Sequence, residues 1–567
     1  MSSTNWKDRV KAKRAELLKI YKPYLITRET FKKALLLTDI SNIFNEGGIA
    51  YGFLTAREKM MTEEPDAVVV LDMLRRGEWS CTELVTAYIK RSTIIRQLTN
   101  TLTEPLFPSA LARAAELDAL PAAHRGPLHG LPITVKDQFH VPGSDTTIGY
   151  VSYIGNASTL PPSVLTEMFA SLGAIIFAKT NVPQSIMWCE TENNIFGCTF
   201  NPRNIALTPG GSSGGEAANL FMCGGLVGWG TDIGGSIRIP SALMGTYGLK
   251  PSSTRLPYQG VVVSTEGQEH IPSVIGPMAR TISSLKMITK AVLDAEPWNL
   301  DPKVAPIPWR EDVYQDTLQR KLVFGVLRDD GVIRVHPPIK RVLEHAVACL
   351  QAAGHEVVEW APDGHLEAMT TADLFYAADG GEDIRRALEA SGEPPIAHVT
   401  KLISCGPAIS VYEYWQLNKR KWACQKAYLD KWNASSALSR SGRMVDLVLS
   451  PVMSHVAVPH ERCGRVGYTK VWNVLDYTAG VVPAGFVDKI KDPVQEYEGR
   501  SELDRTNWEM YDPELMHGHP VGLQVVGRRL QEEKVLAGMQ VLEQVLGGSH
   551  IVQEEEEEEE EEAAPRD

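Results

Sequence analysis

Glycine is concentrated in one stretch of this 567-residue chain, and that stretch constrains the fold more than any other feature. Residues 210–248 read GGSSGGEAANLFMCGGLVGWGTDIGGSIRIPSALMGTYG and hold twelve glycines in 39 positions, against roughly 7% in an average protein. Glycine destabilises regular elements and is kept where the backbone turns tightly, takes a positive φ or approaches another group closely. Tight loops are therefore predicted at residues 210–215 and 234–235.

Three simpler interpretations fit this stretch poorly. A flexible linker would not carry the interleaved apolar residues Leu220, Phe221, Met222, Leu226, Val227 and Ile233. A phosphate-binding loop is unsupported because the chain contains no Gly-Lys pair. Ser212 and Ser213 both satisfy G-x-S-x-G, but a nucleophile elbow needs a strand just before it, and NPRNIALTPG is a turn-forming sequence.

The surrounding pattern predicts a layered α/β fold, with a mixed central β-sheet covered by helices on both sides. Strand signals occur at residues 128–136, 173–179, 321–327, 446–458 and 522–527. Helical spacing lies between them, from a capping box at Ser80 and Glu83 to a closing helix at about 532–546. Lys136 is the last residue of the first of these strands.

Three regions are predicted along the chain. Residues 1–64 form a helical N-terminal extension that packs on the main body, residues 65–552 form the catalytic domain, and residues 553–567 form a disordered acidic tail. The proline-rich patch at residues 302–308 is the best candidate for a linker between two halves of the domain.

Composition excludes several classes of function. Nine glutamates, Glu554–Glu562, supply most of the formal net charge of −13, and the rest of the chain carries −4, with no basic face for nucleic acid or anionic lipid. The eight cysteines include no C-x-x-C pair, which argues against a zinc site or disulfide framework and favours a reducing, cytoplasmic location. No signal-peptide core and no apolar run of membrane-spanning length is found.

Several segments together resemble the amidase signature family. They are GGSSGGE at residues 210–216, GTDIGGSIR at 230–238, GLPITVKD at 130–137 and KTNVPQS at 179–185. Further matches at residues 141–153, 189–201, 276–277, 296–298 and 520–529 are similar to the branch that contains fungal acetamidases. The resemblance extends from about residue 65 to residue 546.

The resemblance implies a site residue by residue. Ser236 is expected to be the nucleophile, Ser212 the bridging serine and Lys136 the base. The backbone N–H groups of Ile233, Gly234, Gly235 and Ser236 are expected to form the oxyanion hole, and Ile186 to line the acyl site. Asp232 and Arg238 flank the nucleophile and are expected to support the loop rather than to react.

These roles are chemically consistent. A serine hydroxyl needs a base to take its proton as it attacks an amide. Lysine can be that base only when neutral, and moving its pKa from about 10.4 to about 7 requires roughly 4 to 5 kcal/mol, which burial can supply. Ser212 would relay the proton and return it to the leaving nitrogen.

Other residues are interpreted as structural. His455, His460, His517 and His519 lack a carboxylate partner or ligand spacing in the sequence, so they are read as structural or pocket-wall residues. Residues 301–465 are expected to supply pocket walls, and among the aromatic candidates Trp309, Tyr376, Trp415 and Trp472 an ordinary core position is favoured.

The predicted function is hydrolysis of a linear aliphatic or aryl primary amide, with no cofactor and no metal. A small-molecule amide is the expected partner, without nucleic acid or membrane, and a homodimer stays open. Two alternatives remain: an esterase or amidase acting on a larger natural-product amide or ester, and a non-catalytic amide-binding scaffold.

Overall fold

The computed structural model describes residues 5–547. The predicted acidic tail at 553–567, the first four residues of the predicted extension and the predicted domain end at 552 therefore lie outside the described residues. The predicted α/β class is confirmed, with eleven strands in one mixed sheet and helices around it.

The strands are β1 Leu102–Pro105, β2 Pro132–Lys136, β3 Ile175–Thr180, β4 Glu192–Asn193, β5 Gly197–Cys198, β6 Val227–Asp232, β7 Tyr247–Lys250, β8 Val274–Ala279, β9 Val323–Val326, β10 Glu356–Glu359, β11 Leu447–Pro451, β12 Ala479–Phe486 and β13 Pro520–Val526.

The α-helices are α1 Trp6–Tyr21, α2 Arg28–Ala34, α3 Ala56–Glu63, α4 Ala67–Arg76, α5 Cys81–Thr99, α6 Phe107–Asp118, α7 Val164–Leu172, α8 Gly214–Phe221, α9 Arg238–Met244, α10 Ile282–Asp294, α11 Glu311–Gln319, α12 Pro337–Ala352, α13 His365–Tyr376, α14 Glu382–Glu389, α15 Ala397–Leu402, α16 Val411–Ala434, α17 Gly467–Val474, α18 Glu502–Trp508, α19 Pro513–Met516 and α20 Glu532–Val545. Short 3-10 turns lie at Lys22–Tyr24, Ala122–His124, Val151–Tyr153, Pro297–Asn299 and Ser435–Ala437.

The main sheet has the strand order β1-β3-β2-β6-β8-β7-β12-β13-β11-β9-β10, and β4 pairs with β5 in a separate hairpin. The strands that precede the predicted linker at 302–308 lie next to one another at one end of this order, and the strands that follow it lie at the other end. The two halves meet where β7 pairs with β12 in antiparallel register. One continuous sheet therefore joins both halves of the chain.

One predicted element boundary matches the structure and another does not. Ser80 and Glu83 form the predicted capping box at the start of α5, each accepting from the other's backbone N–H. The predicted strand at 446–458 is shorter than expected, because only β11 pairs and the chain beyond it is buried without a ladder. The closing helix α20 ends at Val545.

The N-terminal helix α1 is tied to the sheet by a buried ion pair. Lys13 is 5% exposed, and its Nζ lies 2.8 Å from Glu104 of β1 and 2.9 Å from Asp145. Val10, Leu17 and Tyr21 on the same face belong to the main core. Leu18, the next residue after Leu17, is 49% exposed.

Within residues 5–547, no helix is both long and apolar enough to cross a membrane. All eight cysteines are free thiols.

Candidate active site

Three neighbouring parallel strands bring the predicted residues to one edge of the sheet. Strand β2 pairs in parallel with β3 on one side and with β6 on the other. Parallel strands end at the same edge, where ligands bind in α/β sheets. Lys136 ends β2, the loop that carries Ile186 follows β3, and the loop that carries Ser236 follows β6.

Lys136 is fully buried among hydroxyl groups. Its Nζ lies 2.7 Å from Ser212 Oγ and 2.8 Å from Thr231 Oγ1, and Thr231 in turn donates to Gln138 Oε1 at 2.5 Å. Burial lowers the pKa of Lys136 to about 7, although the negative charge of Asp232 acts in the opposite direction. A substantial fraction of this amine is therefore neutral at neutral pH.

The two predicted serines lie on loops that touch. A cis peptide joins Gly211 to Ser212, just before α8 begins. The N–H of Ser213 donates to the carbonyl oxygen of Ser236 at 3.2 Å. Ser212 is buried and Ser236 is partly exposed, so the Ser236 side is the more open of the two.

Glycine in β6 lets α8 pack closely beneath this edge. A Cβ on Gly228 would lie 2.0 Å from the carboxyl of Glu216, the acidic residue in the first turn of α8. Glu216 is fully buried and accepts from Thr134 and from Thr180, the latter at 3.0 Å. Burial raises the pKa of Glu216 to about 7, and the two threonine hydroxyls act against this rise.

Asp232 and Arg238, the residues expected to support the loop, are bonded to each other and to the backbone of the Ser236 loop. Two guanidinium nitrogens of Arg238 lie 3.0 Å from the two oxygens of Asp232. Asp232 also accepts from the N–H of Gly235 at 2.8 Å and from Asn473 at 2.9 Å. Burial alone would raise the pKa of Asp232, but Arg238 and its other partners lower it to about 2.

Gly235 can be replaced only with strain. Its φ is +134°, and an added Cβ would lie 2.5 Å from Thr469 Oγ1. Its N–H is bonded to Asp232, so of the four donors predicted for the oxyanion hole this one already has an acceptor. In the part of the chain that the structure describes, the N–H groups of Ile233, Gly234 and Ser236 meet no acceptor.

Side chains from the second half of the chain hold the other face of this loop. Thr469 of α17 donates to the carbonyl of Gly234 at 2.6 Å, and Tyr376 of α13 donates to the carbonyl of Ile233 at 2.6 Å. Arg238 reaches Gln524 of β13 at 3.1 Å. In a trans peptide the N–H points away from the carbonyl, so the bond from Tyr376 to Ile233 leaves the N–H of Gly234 on the opposite side of that peptide.

Ile186 lies in the loop after β3 with a positive φ of 59° and is 7% exposed. It packs in a separate apolar cluster with residues of the first half, such as Ile148 and Tyr150, and with Leu388 and Val399 of α14 and α15. The segment that contains these two helices begins just after Tyr376, so one piece of chain reaches from the Ser236 loop to Ile186.

Sequence reasoning missed several residues of this site. Thr231, Gln138, Thr469, Asn473 and Gln524 are polar residues whose roles follow only from which elements meet. Tyr376 was considered, but a core position was favoured. For Trp415 that preference was wrong, since the side chain is 61% exposed. Trp472 is fully buried and Trp309 nearly so.

The four histidines bond to backbone or to thiol groups, but the expectation that they lack a carboxylate partner fails for His460, whose Nδ1 lies 3.9 Å from Glu190 Oε2. His455 lies 2.8 Å from the carbonyl of Val456 and 3.0 Å from that of Gly464, and burial lowers its pKa. His460 lies 3.5 Å from Cys198 Sγ. Within residues 5–547, no group of three or more His, Cys, Asp or Glu side chains is arranged to hold a metal ion.

Comparisons with known proteins find relatives over most of the chain. The family model described as Amidase matches residues 83–536. An acetamidase of Aspergillus oryzae is 40% identical over 96% of this chain and all of its own length, and Amidase 1 of Gibberella moniliformis is 48% identical over 88% of this chain and 96% of its own. A solved structure of a fatty acid amide hydrolase superposes with a TM-score of 0.88 at 33% identity, covering 96% of this chain and 95% of that one.

Proposed function

We propose, from the premise that this chain belongs to the amidase signature family and is an amidase, that it cleaves a carboxamide through an acyl-enzyme on Ser236. Lys136 acts as the base and Ser212 relays the proton between them. The carboxylic acid and ammonia, or an amine, are the products.

The observation that carries this proposal is the contact between Lys136 Nζ and Ser212 Oγ at 2.7 Å, together with a lysine pKa lowered to about 7. A charged lysine could only donate protons. A neutral one has a lone pair that accepts the proton of the Ser212 hydroxyl, which in turn accepts the proton of Ser236 as that oxygen attacks.

Each step then has a group to perform it. Ser236 Oγ bonds to the amide carbon, and its proton passes through Ser212 to Lys136. The N–H groups of Ile233, Gly234 and Ser236 stabilise the negative oxygen, while Gly235 serves mainly by its conformation and its bond to Asp232. The proton returns to the leaving nitrogen, and water releases the acid by the same path.

The favoured substrates are linear aliphatic or aryl primary amides, with the acyl group against Ile186. The name of the acetamidase of Aspergillus oryzae supports a small acyl group. An esterase or amidase acting on a larger natural-product amide or ester would use the same three residues and remains the second candidate. The eight free thiols support a reducing, cytoplasmic location.

The test is ammonia release from carboxamides graded from acetamide to long-chain and aryl amides. Ser236→Ala, Ser212→Ala and Lys136→Ala should each lower kcat by about 10³-fold or more. Ser213→Ala is the matched control, because the Ser213 hydroxyl is buried without a hydrogen-bond partner among the described residues.

Loss of activity in the three variants but not in Ser213→Ala supports the mechanism. A Ser236→Ala enzyme as active as wild type overturns it. If wild-type enzyme releases no ammonia but Ser236 reacts with a serine-directed phosphonate, the second candidate is favoured. If the wild-type enzyme neither releases ammonia nor reacts with the phosphonate, the non-catalytic scaffold is favoured.

A further inference from the structure

Glu190 is a buried acid near the active site, and the proposed mechanism does not use it. It follows Ile186 in the loop after β3, just before strand β4, and is 3% exposed. Its Oε2 lies 3.9 Å from His460 Nδ1, and burial lowers the pKa of His460, so this partner is mostly neutral at pH 7. Burying a carboxylate beside a neutral partner costs free energy, so the fold keeps this acid at a cost.

The backbone of Glu190 packs directly against the loop that carries Ser212. A Cβ added to Gly211 would lie 2.2 Å from the carbonyl oxygen of Glu190 and 2.7 Å from its nitrogen, so no side chain fits between the two backbones. The next residue, Thr191, donates from Oγ1 to the carbonyl oxygen of Gly210 at 3.0 Å. Residues 190–191 therefore support the Ser212 loop from one side.

The side chain of Glu190 extends to a different segment, which follows β11 in the second half of the chain. Its Oε2 accepts from the N–H of Glu461 at 2.9 Å, and its Oε1 accepts from the N–H of Cys463 at 2.8 Å. Glu461 has a positive φ of 66°, a conformation that costs free energy in a residue other than glycine. The two bonds to Glu190 help to hold the segment in that conformation.

The same segment is bonded to the chain that enters the Ser212 loop. The N–H of Thr208 donates to the carbonyl of Val458 at 2.9 Å, and Leu207 pairs with Pro459 in an isolated β-bridge. Glu190 thus acts on the Ser212 loop in two ways. Its backbone lies against Gly211, and its carboxylate fixes the segment to which the start of the loop is bonded.

We propose that Glu190 is a positioning residue for Ser212, and that it holds this serine against Lys136 only while its own carboxylate is ionised. The proposal rests on the proton relay of the proposed function and adds a second group on which that relay depends. Glu190 acts through the backbone at Gly211 and through residues 458–463, not on the reacting atoms.

Only the ionised form can hold both N–H groups. A carboxylate accepts with two oxygens, whereas a carboxylic acid carries a proton on one of them, so the N–H of Glu461 or of Cys463 then faces a hydroxyl. Hydrogen bonds to an ionised acceptor are also about twice as strong as neutral ones. Protonation of Glu190 should therefore loosen the segment beside the Ser212 loop and let Ser212 move away from the amine of Lys136.

The surroundings of Glu190 place its ionisation in the working range of the enzyme. Burial raises the pKa of Glu190 to about 7. The N–H groups of Glu461 and Cys463 act against this rise, and the negative charges of Glu192 and Glu461 add to it. Glu190 and Lys136 therefore both lose a proton near pH 7.

The other titratable or charged groups around Glu190 do not supply a second switch. Burial and the nearby acids raise the pKa of Cys198 to about 12, and contact with Cys189 together with burial raises the pKa of Cys463 well above its usual value, so both thiols stay neutral. Arg465, a cation of the same segment, interacts with Cys189. His460 is the neutral imidazole described above.

The first experiment measures kcat/KM for a primary amide as a function of pH. In wild type two groups must lose a proton, so below about pH 6 kcat/KM should fall about 100-fold per pH unit. Glu190→Gln keeps the shape but cannot ionise, so it should fall only about 10-fold per unit, and its kcat at pH 8 should be about 10-fold below wild type. Circular dichroism at each pH checks that the enzyme is folded.

Glu192→Gln is the matched control. Glu192 lies two residues further on, and burial raises the pKa of its carboxyl as well, but the N–H groups of Glu461 and Cys463 donate to Glu190. This variant should keep the steep wild-type profile. Glu190→Asp keeps an ionising group and should also keep the steep profile at a lower kcat, and it replaces Glu190→Gln if that variant does not fold.

The second experiment does not depend on activity. An acid with a pKa of about 7 in the folded protein and about 4.3 in the unfolded chain binds its proton only in the folded state between these values. Stability is therefore lost as pH rises through that window. The melting temperature of wild type should fall by a few degrees relative to that of Glu190→Gln between about pH 4.5 and pH 7.5.

A steep wild-type profile that becomes shallow in Glu190→Gln but not in Glu192→Gln supports the proposal. A wild-type fall of only 10-fold per unit overturns it, and so does a steep profile that persists in Glu190→Gln or a difference in melting temperature that does not change with pH. These results leave the proposed function standing as long as Lys136→Ala and Ser236→Ala are inactive. If wild type releases no ammonia, the same profiles are read from the rate at which the serine-directed phosphonate labels Ser236.

Discussion

At the scale of single residues, the chemistry depends on an amine kept out of water. Lys136 is fully buried and contacts hydroxyl groups rather than carboxylates. Desolvation disfavours the ammonium form, and the nearest opposing charge, Asp232, is itself paired with Arg238. The ion pair that shapes the loop thus also limits how far Asp232 can raise the pKa of the lysine.

The first prediction concerns pH. Because only neutral Lys136 can accept a proton, kcat/KM should rise with pH through an apparent pKa of about 7 and level off above it. The measurement is the pH–rate profile for a primary amide, with stability checked across the same range. A profile in which kcat/KM rises only near pH 10, the usual pKa of lysine, would contradict it.

Thr231→Val is the second prediction. The substitution keeps the shape but removes the oxygen 2.8 Å from Lys136 Nζ. The ammonium form loses an acceptor, so the lysine pKa should fall and the acidic limb should move to lower pH. We expect kcat to fall about 10-fold, since the amine is less well held toward Ser212.

Thr231→Ser, which keeps the hydroxyl, is the control for that variant. It should retain both the wild-type kcat and the wild-type position of the acidic limb in the pH–rate profile. An unchanged profile in Thr231→Val would show that Thr231 does not act on the lysine.

At the scale of elements, the Ser236 loop is shaped from two sides. Strand β6 and helix α9 supply Asp232 and Arg238 from the first half of the chain, whereas α17 and α13 supply Thr469 and Tyr376 from the second. Local sequence can indicate a glycine loop, but it cannot tell which distant helices will press against it. For this reason the loop itself was predicted, whereas the hydrogen bonds that Thr469 and Tyr376 donate to it were not.

Two adjacent glycines give the third prediction. Gly235→Ala should be strongly disruptive, because φ is +134° and the new Cβ meets Thr469 at 2.5 Å. Gly234→Ala should fold normally, because its nearest neighbour to a new Cβ is Tyr376 Oη at 3.4 Å.

We expect Gly235→Ala to lose more than about 10²-fold in kcat, a loss comparable to that of an oxyanion-hole donor, and Gly234→Ala to keep the wild-type melting temperature within a few degrees. The checks are ammonia release and thermal unfolding by circular dichroism. Equal behaviour of the two variants would refute the assigned loop conformation.

At the scale of the whole molecule, the sequence predicted the layered α/β class and the strand that ends at Lys136, because alternating strands and helices leave a clear pattern. One mixed central sheet was predicted but its strand order was not, since the pairing of β7 with β12 joins segments more than 200 residues apart. Contacts of that range depend on tertiary packing rather than on local propensity. Helical spacing likewise predicted a helix in the N-terminal extension, but it did not predict that Lys13 of this helix is buried.

The fourth prediction tests that helix. Lys13→Met removes the cation that contacts both Glu104 and Asp145, which would leave two buried carboxyl groups without their ion-pair partner, and should lower the free energy of unfolding by about 3 kcal/mol. Lys11→Met, two residues earlier and exposed, should change it little. Urea unfolding followed by tryptophan fluorescence measures both, and equal stabilities would show that the ion pair contributes nothing.

The division of the sheet has a consequence for how such a protein can be assembled. Each half of the chain contributes an uninterrupted block of strands to the main sheet, and the two blocks meet where β7 pairs with β12. A break in the backbone at the exposed Pro302–Lys303 peptide would therefore interrupt no strand pairing. Two separately translated fragments should be able to find each other and restore turnover. A reporter of fragment association could then be built on ammonia release, and either fragment could be diversified without touching the gene for the other.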